Sequence, residues 1–488
     1  MVTFFRNRTL SQMEINHTNI HSAIKGAPFS AARVSDLLAR YDAQGPRYTS
    51  YPSVAQFAEF DSQVYFDAFA NCDSHAPLSV YVHIPFCNTP CYYCACNKII
   101  SRKAGSVRTY LNYLKKEMKL LRLRSRLNAR QVEQLHFGGG TPTYLDDAEL
   151  TELVHTLAHS FDLSQQPDRD FSIELDPRTM DRHRIELIRG LGFNRVSLGV
   201  QDFDVDVQTA INRVQDFRQL ESLVGDIRVR GFGSLNFDMI YGLPKQTMQS
   251  LEKTLTSLIA MNPDRVSYYN YAHLPQRFAG QRAINEVDLP KPGLKLQMLR
   301  YIVERLTDAG YVYIGMDHFV KREDSLAMAQ RDGSLCRNFQ GYTISKARDL
   351  VGLGMSSISS VSGVYSQNYE SLIDYYQGID IGELPIRRGF VLGPEDFIRR
   401  DIIQQLSCYK RLDIGKIENT YAVNFWEHFA NVKPALLQMQ NDGLLSLLDK
   451  RFLIVSPEGG LFLRNICMLF DEYLGRDSHK GFSYSRVI

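Results

Sequence analysis

Tyr81 to Lys98 reads YVHIPFCNTPCYYCACNK, and four of the eight cysteines of the chain fall within ten positions of this stretch. Cys87, Cys91 and Cys94 stand at the spacing C-x3-C-x2-C, with Cys96 just beyond. An alternating apolar run over residues 78–84 leads in, which puts the cysteines in a loop at the end of a strand. Thiolates hold iron–sulfur clusters, and a [4Fe–4S] cluster normally takes four of them. Three closely set ligands leave one iron open to a small molecule. A structural zinc site usually pairs its ligands at C-x2-4-C with a second pair far away, and no second pair follows here. Four cysteines this dense in a Cys-poor chain are not scattered core residues. A ferredoxin-like electron-transfer cluster, with Cys96 as its fourth ligand, stays open on spacing alone.

The chain has 488 residues, enough for a large core and more than one domain. Its 56 basic and 54 acidic residues nearly balance, so charge draws it to neither nucleic acid nor an anionic membrane. No apolar run is long enough to span a bilayer. The opening MVTFFRNRTLSQMEIN has no apolar core of a signal peptide; it reads as an idle extension or a start at Met13, in preference to a transit peptide. Clustered rather than paired cysteines favour a reducing compartment, and the expected location is cytoplasmic. The lack of a coiled-coil pattern points to a monomer.

Residues 1–35 read as a poorly ordered extension and 36–77 as a flap segment. The latter contains YDAQGPRYTSYP (Tyr41 to Pro52), a loop by its Gly and Pro content. From residue 78 a unit repeats: a β-branched run, a loop, a helical stretch. Strands are predicted at 79–84, 134–137, 171–175, 195–200, 235–241 and 265–271. Helices are predicted at 109–122, 147–160, 181–191, 217–230 and 250–261. Strand then helix, repeated, predicts an α/β fold, a parallel sheet curving into a full or partial (β/α)6 barrel. Such a fold gathers its chemistry at the C-terminal ends of the strands. The cysteine loop, Gly138-Gly139-Gly140-Thr141, Glu174 with Asp176, Gln201 with Asp202, Asp238, and Asn270 to His273 all fall there. Three glycines let a backbone approach a ligand and aim N–H groups at a carboxylate or phosphate. The spacing is neither a Walker loop nor a dinucleotide fingerprint. The barrel with its extension is expected over 78–390. Residues 391–488 read as a mainly helical lid, winged-helix-like, with a hairpin at 444–463 turning at Pro457-Glu458-Gly459-Gly460. With no basic run, the lid is not expected to bind DNA.

Taken together, the loop and the glycine turn after the next strand resemble the radical S-adenosylmethionine (SAM) enzymes. The successive stretches GPRYTSYP, YVHIPFCNTPCYYCACNK, HFGGGTPTYL, SIELDPR, GFNRVSLGVQDF, DMIYGLPKQT, NYAHLP, IGMDHF, RNFQGYT, RNICM and SRVI resemble the family of oxygen-independent coproporphyrinogen III oxidases. The resemblance covers nearly the whole chain from Tyr41. Tyr93, Ala95 and Cys336 depart from the family's more usual Phe, Gly and His.

The resemblance implies a [4Fe–4S] cluster held by Cys87, Cys91 and Cys94, with SAM on the open iron. Tyr81, Gly139, Glu174 and Ile358 would contact that SAM. A second SAM would meet Tyr93, Gly140, Thr141, Gln201, Arg213, Asp238 and Ala272. Cys96 would serve activity without ligating iron. The implied reaction is an anaerobic step of heme biosynthesis. A reducing cluster cleaves SAM, and a 5′-deoxyadenosyl radical takes hydrogen from a propionate of coproporphyrinogen III. Loss of CO2 and one electron then leaves a vinyl group, and two such events give protoporphyrinogen IX. An electron donor and an electron acceptor are required that the sequence does not identify. Arg47, Arg331, Arg337, His318 and Gln340 are candidates for the four carboxylates of the substrate. A heme-binding relative on the same scaffold is the alternative. Such relatives usually lack the C-x-C-N-K ending and the PRYTSYP stretch present here.

Overall fold

The computed structural model describes residues 31–70, 72–73, 75–101, 105–125, 130–344, 349–474 and 484–486. Six strands carry the site: β1 (Leu78–Ile84), β2 (Gln131–Gly139), β3 (Asp170–Leu175), β4 (Arg195–Gln201), β5 (Ser234–Tyr241) and β6 (Arg265–Asn270). They pair in sequence order, each parallel to the next. In β1 every residue but Tyr81 is buried, as expected of a parallel strand covered on both faces. Helices Ser106–Arg124, Asp147–Ser160, Arg182–Gly190, Phe217–Val229 and Met248–Met261 return the chain between them. Several start on a side-chain cap, as where Asp146 and Glu149 form a capping box. These are the six predicted units of the barrel, with ends moved by at most three residues.

The barrel strands belong to a fourteen-stranded sheet among the described residues. Beside β1 lies Asp349–Leu353, also parallel, followed by antiparallel Ile358–Val361, Val364–Asn368 and Ile386–Val391. Beside β6 lie antiparallel His318–Lys321 and Tyr311–Gly315. The barrel is therefore open, and its two edges are extended rather than joined.

Register decides which side chains share a level. Tyr81 stands opposite His136, and His136 opposite Ser172. Asp238 stands opposite Ser267, and Ser267 opposite His318. Polar groups from distant parts of the sequence thus form rows across the barrel interior.

A second core joins the two ends of the chain. Val34, Leu37 and Tyr41 pack with Ile402, Leu406, Phe425, Leu436 and Ile466. Helix Ala31–Tyr41 supplies the first three, so order begins inside the stretch expected to be a poorly ordered extension. Its apolar residues recur at helical spacing and pack on the C-terminal segment together with Leu296 and Met316. The rest of that expected extension, residues 1–30, lies outside the described residues.

The C-terminal helix Pro394–Tyr409 is followed by a three-stranded sheet of Arg411–Asp413, Leu445–Leu448 and Phe452–Val455. This has the helices and the hairpin of a winged helix. The hairpin turns at Asp449 and Lys450, not at Pro457 to Gly460. Both residues have positive φ, 50° and 55°, and with Arg451 they make a three-residue loop, since Leu448 pairs with Phe452. The Pro-Gly stretch instead opens a 3-10 turn over Gly459–Phe462. No described helix is long and apolar enough to cross a membrane.

At the floor of the barrel Arg130 is 2% exposed. It donates to Asp349 at 2.7 Å, to the carbonyls of Ala76 and Pro77 at 2.8 and 3.0 Å, and to Cys72 Sγ at 3.3 Å. It ties the start of β1 to the neighbouring strand. Removing one partner of such a pair strands a buried charge. Arg130→Met should lower the unfolding free energy in urea by about 3 kcal/mol and leave SAM affinity unchanged. A loss under about 1 kcal/mol would show that the pair merely fills space.

Candidate functional site

The cysteine loop leaves β1 and is held by backbone hydrogen bonds. Gly140 N donates to Ile84 O at 2.8 Å and Thr141 N to Phe86 O at 2.9 Å, while Ile99 N closes the loop on Pro85 O at 2.7 Å. A Cβ on Gly140 would lie 2.7 Å from the Pro85 backbone, and one on Gly139 2.6 Å from the His83 ring. The glycines are therefore demanded by protein packing. The amides of Gly140 and Thr141 are spent on the cysteine loop and do not point at an anion, which corrects the expectation drawn from the sequence.

Cys87 and Cys91 are buried and Cys94 is half-buried. Cys87 Sγ lies 3.4 Å from Thr141 Oγ1. Cys91 Sγ accepts from Arg213 Nη1 at 3.4 Å and lies 4.0 Å from Arg178 Nη2. Both guanidinium groups also hold Asp176, Arg178 at 2.6 Å and Arg213 at 3.4 Å. Burial opposes ionisation of Asp176, but the bonds from Arg178 and the charge of Arg213 keep it below the usual carboxylate range. Burial pushes the Cys87 thiol up to about 11. A hydrogen bond from the Cys96 thiol, helped by the Lys98 ammonium, brings Cys94 down to about 5. Cys96 itself is exposed.

This donor set fits a [4Fe–4S] cluster: three thiols on one loop, with cationic groups beside two of them. Among the described residues no three His, Cys, Asp or Glu converge on a single metal-ion position. A cubane gives each thiolate its own iron, so its ligands need not meet at one point.

The other candidates group around this loop. Tyr81 stacks on His136 at 5.8 Å, and its hydroxyl lies 3.1 Å from His83 Nδ1. His136 in turn meets Ser172 at 2.7 Å and Glu174 at 3.3 Å. Asp238 accepts from Ser197 at 2.6 Å and Asn236 at 3.0 Å, and burial lifts it to about 6. A cavity of about 140 Å³ in the barrel is lined by His136, Glu174, Asp238, Tyr269, His318 and Gln340, among others. Gln201 ends β4 with φ 69°, beside a Gly199 whose Cβ would meet Arg213 and Gln201. Ala272 joins the loop indirectly: Gln281 donates to the carbonyls of both Tyr93 and Ala272 at 3.1 Å. Ile358 sits on the opposite flank, packed near Phe339 and Tyr365.

Of the candidates for substrate carboxylates, Arg337, His318 and Gln340 stay together. Arg337 is buried over the Tyr342 ring at 4.9 Å, and His318 meets the same ring edge-on at 5.1 Å. Among the described residues, Arg337 Nε and Nη1, His318 Nδ1 and both amide atoms of Gln340 are buried without a hydrogen-bond partner. Burial, then the Arg337 charge, lowers His318 to about 3, so its ring is neutral. Arg47 donates to Asn270 O at 2.8 Å near the barrel mouth. Arg331 is exposed on the outside, bonded to Arg322 O. Cys336 donates to Ser334 O at 3.6 Å and is not among the residues lining the cavity. The sequence reading missed His83, His136, Arg178 and Gln281. Arg178 was visible two positions after Asp176, but Gln281 lies in a loop with no motif.

Residues 81–258 match the family described as the radical SAM superfamily. Fold and site together define a radical SAM protein. Similarity over the full length narrows this. The oxygen-independent coproporphyrinogen III oxidase of Pseudomonas aeruginosa is 48% identical over 93% of this chain and 98% of its own. That of Escherichia coli K12 is 44% identical, over 93% and 98%. A solved structure of the Escherichia coli coproporphyrinogen III oxidase, described as a radical SAM enzyme, matches with TM-score 0.84 and 45% identity over 88% of this chain and 97% of its own. The chain belongs to the oxygen-independent coproporphyrinogen III oxidases.

The raised Asp238 sets a sign. The folded protein keeps this proton between 3.8 and about 6, where the unfolded chain has lost it. Stability contributed by Asp238 is therefore lost as pH rises through that window. The melting temperature of Asp238→Asn minus that of the wild type should be larger at about pH 8 than at about pH 5. A difference independent of pH would mean that Asp238 titrates like an exposed carboxylate.

Proposed function

We propose that this site converts two propionate side chains of coproporphyrinogen III to vinyl groups without oxygen, giving protoporphyrinogen IX. The observation that carries the reading is the set of unpartnered polar atoms of Arg337, His318 and Gln340 beside the barrel cavity. Buried donors left unpaired in a folded protein are explained by a ligand that pairs them. A substrate with four carboxylates supplies acceptors for Arg337 and for the Gln340 amide.

Cys87, Cys91 and Cys94 would hold the [4Fe–4S] cluster. When bound, cluster and SAM together supply the 5′-deoxyadenosyl radical that takes hydrogen from the propionate. Tyr81, Gly139, Glu174 and Ile358 would hold one SAM. Tyr93, Gly140, Thr141, Gln201, Arg213, Asp238 and Ala272 would hold a second. Gly140 offers such a ligand close backbone approach but no free N–H, and Thr141 offers its hydroxyl. Arg213 stands by Cys91, so it would bridge cluster and cofactor. Cys96, exposed beside Cys94, would act in turnover and not as a ligand. The barrel walls exclude water from the radical. The chain would act as a cytoplasmic monomer, taking electrons from one protein or small-molecule partner and passing them to another. Eight free cysteines support a reducing compartment.

The test is anaerobic, with reconstituted protein, reductant, SAM and coproporphyrinogen III. The expected result is two CO2 per protoporphyrinogen. Deoxyadenosine without CO2 would overturn the reading in favour of a heme-binding relative.

A further inference from the structure

A second cavity, of about 260 Å³, opens at the same end of the barrel, between the ends of β5 and β6 and the C-terminal tail. Its walls include Gly242, Ala272, His273, Lys295, Ser485 and Arg486, and no Asp or Glu lines it among the described residues. Lys295 projects from the first turn of helix Pro292–Asp308. It passes over Gly242, where a Cβ would come within 2.9 Å of Lys295 Cε. A residue larger than glycine there would displace the ammonium.

Lys295 Nζ has one weak partner, Tyr271 O at 3.3 Å, and forms no ion pair among the described residues. The charges that act on it are mostly of its own sign. Arg464, Arg47 and Arg486 oppose its charged form, and Asp42, which favours it, is already paired with Arg486. Burial and these like charges bring Lys295 down to about 8. Pro290 and Pro292, at the start of the helix, also line the cavity, so the positive end of that helix lies beside it. The N-terminal loop is tied down here as well: Arg464 donates to Gly45 O at 2.6 Å and to Pro46 O at 3.2 Å.

A hollow that gathers cations, excludes carboxylates of its own and measures about 260 Å³ suits one carboxylate and its short arm, not a tetrapyrrole. It adjoins the reaction site through Ala272, which lines it. We infer that this cavity takes a carboxylate arm of the substrate, a propionate that is not being converted, with Lys295 as its cationic partner. The arm would fix which propionate faces the radical. The inference rests on the decarboxylation proposed above.

The test uses reconstituted holoenzyme titrated with coproporphyrin III, the fluorescent oxidised form of the substrate. Lys295→Met should weaken its binding about tenfold while SAM affinity holds, and Lys295→Arg should keep most of it. Melting curves check that each variant folds. Should Lys295→Met fail to fold, Arg486→Ala, at the exposed edge of the cavity, is read in the same way. Unchanged coproporphyrin affinity would overturn the inference. So would a loss of SAM affinity instead, since the cavity would then serve the cofactor's own carboxylate. Wild-type protein that binds coproporphyrin III but releases no CO2 from coproporphyrinogen III would sink the decarboxylation reading alone. Weakened binding by Lys295→Met would still support the cavity.

Discussion

The seam between the cysteine loop and the glycine turn after β2 holds the rest of the site in place. Two backbone hydrogen bonds cross it, Gly140 to Ile84 and Thr141 to Phe86. Any side chain at Gly140 would strike the Pro85 and Phe86 backbone, because its Cβ would fall 2.7 to 2.8 Å from their atoms. Glycine is needed for the two loops to close. Once closed, they bring Cys87 against Thr141 and set the three thiols over the open end of the barrel. Because β1 and β2 are parallel neighbours, their exit loops leave at the same end, where the chemistry of such folds collects.

Electrostatics refines what the seam positions. Cys91 faces two guanidinium groups that share Asp176. A buried network of this kind gains little net stability over apolar packing. Its consequence is local: it would keep a positive field on that sulfur once a cluster is bound, and hydrogen bonds to sulfur are among the factors that set a cluster's potential. Asp238 and Glu174 both line the barrel cavity, near where a cationic sulfonium cofactor would lie.

The fold was readable where local pattern and tertiary role agree. Buried parallel strands need apolar runs, and returning helices need amphipathic spacing, so all six units of the barrel appear in the sequence. The cysteines and the strand-end acids could be found because the fold places chemistry at one end. The glycine run was located correctly but misread in role, since the amides of Gly140 and Thr141 go to Ile84 and Phe86 on the preceding loop, which spacing cannot show. The hairpin turn was misplaced because Asp449 and Lys450 adopt positive φ without a glycine. The stretch 350–360 reads as Gly- and Ser-rich, yet it contains two strands, carried by pairing with β1 and its neighbours. Gln281 and Lys295 carry no motif. Their roles come from which carbonyls and cavities the fold brings to them.

The account turns on the cluster keeping one iron free for an incoming amino acid group. The alternative with four protein ligands would use Cys96, two positions after Cys94. The direct measurement is electron–nuclear double resonance on the reduced cluster with SAM labelled by 15N at its amino group and 17O at its carboxylate. Both labels are predicted to couple to the cluster. A spectrum unchanged by labelled SAM, with a fourth cysteine signature in its place, would contradict the account.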